Sequence, residues 1–415
     1  MAKTPDPNKK DFFKVFLDEL SRSSITIILL AIFIGLLLGG ILAVATTPEI
    51  YAHFNNSLGE GISESLKLIW KTYSSLFLGS FGNPSKMIEA LASGDGKAIQ
   101  NAFKPILESL VVTTPYLITG VAIAMGFQAG VFNIGGEGQL YMGALMAAWA
   151  GWTFKGLPPI VHIPLALGVG ILFGGIWGFI PGWLKAKTGA HEVINTIMMN
   201  YIAFNLSEYL IRGPFEDPTS SYKTPLIEQS AHLFRFFEGT SLRLHIGLFI
   251  AIAVAVLVWY VLYKTTWGFE FRSVGLNPHA SRYAGINSSL VTILAMTISG
   301  ALAGMAGAVE MLGVNFRQTQ SLSTGYGFDA IAIALLANNN PLVCIITAML
   351  FGFMRHGSRL MQINTGIPID IISILQGFII FFIAAPAMIR TIFRLKEPKS
   401  TLVAETLTAG GKSNG

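Results

Sequence analysis

The chain has 415 residues, 52% of them hydrophobic and 12% charged, with a formal net charge of +5. Soluble domains carry about a quarter charged residues, so this composition excludes a water-coated globular enzyme of this size. The single cysteine, Cys344, excludes a disulfide framework or a cysteine-based metal site within the chain, and the basic excess is better explained by loops held on one side of a membrane than by nucleic acid.

In chain order, residues 1–22 are polar and carry Lys3, Lys9, Lys10, Lys14 and Arg22. An apolar run from Ile25 to Ala45 follows. Ala43-Val44-Ala45 resembles a signal-peptidase site, but the run exceeds the roughly 7–15 residues of a signal core, so it is read as a retained first helix. Apolar windows predict about ten spans, at residues 24–45, 106–128, 133–153, 161–183, 192–211, 244–264, 289–311, 326–338, 341–357 and 368–390. The eighth is too short to cross alone and is expected to be a half-helix or re-entrant segment. The fold class is thus an all-α integral membrane protein with broken segments. Its parts are a cytoplasmic N-terminal segment 1–23, a first transmembrane helix 24–45, an extracytoplasmic insertion 46–105, a core 106–390 and a polar, disordered cytoplasmic tail 391–415.

Lys and Arg set the orientation. With the N-terminus inside, 15 of the 28 basic residues fall on the cytoplasmic side, and the insertion 46–105 holds five of the other 13. Long segments cross largely regardless of charge, so the short-loop comparison is 15 against 8, favouring both termini inside. Within the insertion, Ile62 to Phe77 is amphipathic and reads as an interfacial helix. Residues 212–243 form a second outer loop, with Pro214, Pro218 and Pro225.

Four segments carry the chemistry. The first, Gly126 to Gln139, has five glycines and lies between two apolar windows. At about 1 kcal/mol per glycine relative to alanine, it will not hold an unbroken helix. Irregular backbone at membrane depth is tolerated where it is buried in protein or lines a watery cavity, and Glu137 is then expected to face a partner or the pathway. The alternative is an exposed loop with a solvated carboxylate. The second segment, Thr188 to Asn200, brings Asn195, Thr196 and Asn200 into an apolar helix, either as polar contacts between helices or as pathway groups. His191 and Glu192 lack the second histidine of a metalloprotease motif.

The third, Gly275 to Ile286, encodes a two-turn helix in a cytoplasmic loop. Asn277 is its N-cap, Pro278 its first residue and Gly285 its stop. So short and polar a helix needs something to dock on, this chain or another protein. The fourth holds Phe316, Tyr326 and Asp329; the aspartate opens a short apolar stretch, either as a cap suited to the helix dipole or as a pathway carboxylate. Glu137 and Asp329 occupy Gly-rich breaks in two halves of the chain, a pattern of repeat-built transporters. The tail sequence Gly411-Lys412-Ser413 is not a P-loop, because Thr406 stands where glycine is required.

The stretches GVFNIGGEGQLYMGA (130–144), TGAHEVINTIMMNYIA (188–203), GLNPHASRYAGI (275–286) and GYGFDAIAIALLANNNPL (325–342) resemble the permease subunits of ABC importers for ribose, branched-chain amino acids and nucleosides, nearest the nucleoside branch. The resemblance spans roughly residues 105–390. It implies a type II-like importer fold, a second permease, usually a different chain, an ABC ATPase subunit that binds ATP and Mg, and an extracytoplasmic substrate-binding lipoprotein. No cofactor is expected in this chain, and no nucleic-acid partner. It implies further that Asn277, Pro278, His279, Ser281, Arg282, Tyr283 and Gly285 form the helix coupled to the ATPase. Phe127, Phe132, Asn133, Glu137, Gln139, Asn195, Asn200, Phe316, Tyr326 and Asp329 are the candidate pathway residues. The aromatics would offer stacking surface to a base, and the amides hydrogen bonds. The expected place is a bacterial cytoplasmic membrane. Rival readings are a simple-sugar permease, an ion-coupled transporter using Glu137 or Asp329, and a membrane enzyme or scaffold.

Overall fold

The computed structural model describes residues 24–237, 239–319 and 325–395. The N-terminal segment 1–23 and most of the tail 391–415 lie outside the described residues, as does the excluded P-loop sequence. Described residues form helices and loops with three isolated β-bridges.

All ten apolar windows coincide with helices. In order these are α1 (Ser24–Ala45), then, within the insertion, α2 (Pro48–Asn56), α3 (Leu58–Phe81) and α4 (Pro84–Ser93), then α5 (Gly96–Gln128), α6 (Gly136–Thr153), α7 (Pro159–Thr188) and α8 (Glu192–Ile211). After the outer loop come α9 (Gly247–Lys264), α10 (Thr266–Leu276), α11 (Pro278–Tyr283), α12 (Ser288–Glu310), α13 (Tyr326–Leu336), α14 (Pro341–Thr365), α15 (Asp370–Ala384) and α16 (Pro386–Ile392). Five described helices, α5, α7, α9, α12 extended by the π-turn Met311–Asn315, and α14, are long and apolar enough to cross a membrane unaided. A sixth span arises if α1 and α2, bent by 78° at their junction, count as one. Two of the four remaining windows fall short for evident physical reasons: α13 has only 11 residues, and α6 carries Glu137 and Gln139, which its neighbours bury.

Local sequence sets the boundaries. Asn83 caps α4 by accepting from the backbone of Ser85 and Lys86, and Gly94 ends it in the left-handed region. Asn340 caps α14 ahead of Pro341. Pro105 and Pro115 both lie inside α5, which is otherwise unbroken over 33 residues.

The chain divides into two compact units, residues 1–70 with 367–415, and residues 71–366. In the first, α1 packs on α15, with Gly35 against Ile379 and a small core of Ile27, Ala31, Phe382 and Ile389. In the second, α7 and α12 approach through glycines. A methyl on Gly174 would stand 2.5 Å from both the Gly300 carbonyl oxygen and the Gly304 Cα. Such small-residue seams allow backbone-to-backbone packing where lipid supplies no hydrophobic drive between helices. Around α5, whose segment from Val111 to Gly126 is buried, lie α6, α9, α12, α13 and α14.

Candidate functional site

The glycine-rich break runs from the end of α5 to the start of α6. Gly130 adopts φ +72, Val131 N–H bonds back to the Gly126 carbonyl at 3.0 Å, and α6 starts at Gly136. Asn133 and Gln139 are buried and pair reciprocally. Asn133 Nδ2 donates to Gln139 Oε1 at 2.8 Å, and Gln139 Nε2 donates to Asn133 Oδ1 at 3.1 Å. Asn133 also donates to Ser299 Oγ at 2.9 Å and accepts from Gly135 N–H. Ser299 in turn donates to the Ala122 carbonyl at 2.7 Å. Asn200, from α8, accepts from Gly138 N–H at 2.8 Å and donates to the Ile134 carbonyl at 2.9 Å. Three buried amides thus supply the partners that an interrupted backbone lacks, as burial demands.

This break meets the second one. Glu137 is 3% exposed, and its Oε2 accepts from Gly327 N–H, at the start of α13, at 2.5 Å. The backbones of Gly136–Glu137 and Gly327 touch: a Cβ on Gly327 would lie 2.5 Å from Glu137 Cα and 2.6 Å from Gly136 C. A carboxylate at a helix N-terminus is favoured by the unpaired N–H groups there. Beside it, Tyr116 of α5 donates to Asp329 Oδ2 at 2.7 Å, and its ring meets Tyr326 edge-on at 4.9 Å. Six residues singled out from sequence, Asn133, Glu137, Gln139, Asn200, Tyr326 and Asp329, therefore lie along one seam that α6 and the break before it form with α8 and with α13. Asn195 lies nearer the start of α8, and its Nδ2 is buried with no hydrogen-bond partner among the described residues.

Three aromatic candidates lie apart from that seam. Phe127 and Phe132 pair at 5.0 Å at the end of α5. Phe316 follows the π-turn with φ +58. Its ring is stacked on His232 at 3.9 Å, and the Arg235 guanidinium sits 4.4 Å from its centroid. Burial, and then the charge of Arg235, hold the His232 imidazole below its usual pKa. The sequence reading missed His232 and Arg235, along with Tyr116 and Ser299. Glu192 pairs with Lys185 at 2.6 Å.

On the face where α5 ends, Asn277 Oδ1 accepts from His279 and Ala280 N–H, each at 3.0 Å, and so caps α11. Gly285 takes φ +84 just beyond it. Ser281 turns inward, donating to the Asn277 carbonyl, and Ser288 donates to that of Pro278. His279 and Arg282 are exposed, while Tyr283 is 95% and Leu276 89% exposed. The helix is thus tied to the start of α12 through Ser288, buries Ser281, and offers the rest outward. The last turn of α10, just ahead of it, bears directly on the first break: a Cβ on Gly275 would meet the Gln128 carbonyl, Gly130 N at 2.9 Å and Ala129 C at 3.0 Å.

Comparison with known proteins places the chain among membrane permeases. A guanosine ABC transporter permease protein of Bacillus subtilis, NupP, is 44% identical over 287 residues, 68% of this chain and 82% of that protein. A nucleoside ABC transporter permease protein of Lactococcus lactis, NupB, is 38% identical over 320 residues, 74% of this chain and 86% of its own. A glucose ABC transporter permease protein of Haloferax volcanii, TsgB13, is 32% identical over 295 residues, 67% of this chain and 75% of its own. No solved structure matches the chain. Residues 105–384, which hold both breaks and the capped helix, match the model of the permease component of branched-chain amino acid transport systems, and the chain belongs to that family of membrane permeases.

Proposed function

We propose that this chain is the membrane-spanning subunit of an ATP-driven importer that carries nucleosides, and that it moves substrate without itself hydrolysing ATP. The observation that carries the reading is the 44% and 38% identity to permeases of guanosine and nucleoside transporters. The relative named for glucose is less similar, at 32%, and makes a simple sugar the second reading. The partners are an ABC ATPase subunit holding ATP and Mg, a second permease, and an extracytoplasmic binding lipoprotein. The setting is a bacterial cytoplasmic membrane, with both termini inside.

In this mechanism α11 fits the ATPase. Tyr283 and Leu276 are too exposed to stabilise this chain alone and suit a partner's cleft, with Arg282 beside them. Closure of the ATPase sites moves α11, and the contact of Gly275 with the Gln128–Gly130 turn passes that motion to the seam. Asn133 and Gln139 are occupied with each other, so they hold the seam's shape in this conformation and become donors to a solute only when the pair opens. The test is affinity capture of the tagged protein from mild-detergent membranes beside Arg282→Glu. An ATPase subunit should co-purify with wild type and be lost or weakened in the variant. Its absence from both samples, under conditions that preserve other ABC complexes, removes the importer reading and points to ion-driven uptake through Glu137 or Asp329.

A further inference from the structure

A cavity of about 480 Å³ lies at the end of α5 remote from α10, between α3, α5, α14 and the loop before α9. Its polar wall holds Lys104, Glu108, Ser241, Arg243, His356 and Arg359. Glu108 is fully engaged: it accepts from Arg243 Nε at 2.9 Å, from Nη2 at 2.5 Å and from the Arg243 backbone N–H at 3.2 Å. That bidentate pair cancels one positive charge and leaves two. Lys104 donates only to the uncharged Ser241 hydroxyl, at 3.1 Å. Arg359 is exposed on the rim and has no hydrogen bond or ion pair among the described residues. The Nδ1 of His356 is buried there without a partner among the described residues. Two uncompensated cations and an orphaned ring nitrogen facing one cavity describe a site for an anion. The planar guanidinium suits phosphate oxygens in particular.

The depth of the cavity narrows the source. Glu108 lies about 30 Å along α5 from Gln128, one hydrocarbon thickness. The apolar window of α5 begins beside Lys104, and that of α14 ends beside Arg359. The cavity therefore sits at a membrane boundary. Its other wall is apolar, with Leu78, Leu360 and the outward-facing Ile363. Phe77 and Phe81, both exposed and 4.9 Å apart, stand beside it on α3 at the headgroup level where aromatics collect. A water-borne anion has no use for that apolar wall, whereas a lipid brings acyl chains to it.

We propose that this cavity binds the phosphate headgroup of an anionic phospholipid, held by Lys104 and Arg359. Guanidinium and ammonium groups hold phosphate oxygens by charge-assisted hydrogen bonds. The bound lipid would tie the insertion helix α3 to α5 and α14 at one boundary of the core.

The test is native mass spectrometry of the full chain, purified in mild detergent with its associated subunits and titrated with phosphatidylglycerol or phosphatidylcholine. Wild type should bind phosphatidylglycerol in preference, and excess inorganic phosphate should not displace it. Lys104→Gln with Arg359→Gln should cut the preference about tenfold, the loss of charge-assisted bonds, while Arg359→Lys keeps most of it. Arg359→Gln alone, at the exposed rim, carries the same test if the double variant fails to insert. Equal binding of the two lipids by wild type, an undiminished preference in the glutamine variants, or displacement by inorganic phosphate each overturns the proposal, the last by making this a site for a free anion.

Discussion

Gly327→Ala is the sharpest perturbation of the seam. The new methyl would stand 2.5 Å from Glu137 Cα and 2.6 Å from Gly136 C, where carbon atoms rest at about 3.5–4.0 Å. Both obstacles are backbone, so α6 and α13 must separate by about 1 Å to admit it. Overpacking of this kind costs about 1–3 kcal/mol. The same movement stretches the Gly327 N–H bond to the Glu137 carboxylate, a charged hydrogen bond worth about 1.5–3 kcal/mol. Because one shift relieves one strain while lengthening the other bond, the two are not simply summed, and the expected penalty is on the order of 2–4 kcal/mol. Each 1.4 kcal/mol of it borne by the transporting state is about a tenfold loss of that population. The assay is uptake of labelled nucleoside, normalised to inserted protein, alongside a detergent melting curve. Gly168→Ala is the control: its Cβ meets nothing within 4 Å, and in the middle of α7 alanine should be neutral or mildly stabilising. Wild-type melting and uptake by Gly327→Ala would show that the two breaks need not touch.

Asn133→Ala and Gln139→Ala each strand a buried amide and should cost about 1–3 kcal/mol, with the double variant costing less than the sum because the two share one pair; melting curves test the coupling, and full nucleoside uptake by both single variants would remove them from the pathway. Glu108→Gln leaves Arg243 without its charge partner and should lower stability by about 1–3 kcal/mol, less than a fully buried pair because the Arg243 side chain is 37% exposed; an unchanged melting temperature would refute the pairing. The lowered pKa of His232 means that the unfolded chain binds its proton more tightly than the folded one, so its contribution is complete above the usual value of 6.5 and is lost as pH falls below it. Melting temperature should therefore drop from about pH 7.5 to about pH 5.5, and His232→Gln should shrink the drop; an equal drop in the variant would place the titration elsewhere.

The sequence carried most of the architecture, because hydrophobic length and capping chemistry are local. The short window at 326–338 is α13 over Tyr326–Leu336, and Asn277, Pro278 and Gly285 bound α11 as their backbone preferences require. Side-chain direction within the seam was not legible. Asn133 was read as a donor to a solute, but its partners are Gln139 nearby and Ser299, which is 166 residues away in sequence, and no periodicity encodes so distant a pairing. Sequence offers Phe316 as stacking surface for a base; His232 stacks on it from a loop that has no motif of its own. Arg355 and Arg359 stand four apart directly after an apolar run, a pattern that marks a polar recess where the span ends.

The contact between Gly275 and the Gln128–Gly130 turn also bears on stiffness. Most joints between moving parts of a protein pass through side chains, which change rotamer and absorb small displacements. Here main chain presses on main chain, with Gly130 itself in the left-handed region that a bulkier residue rarely adopts. Such a joint has almost no slack. A shift of the end of α10, just ahead of α11, therefore bears on the backbone of the break before α6 rather than on a side chain that could turn aside.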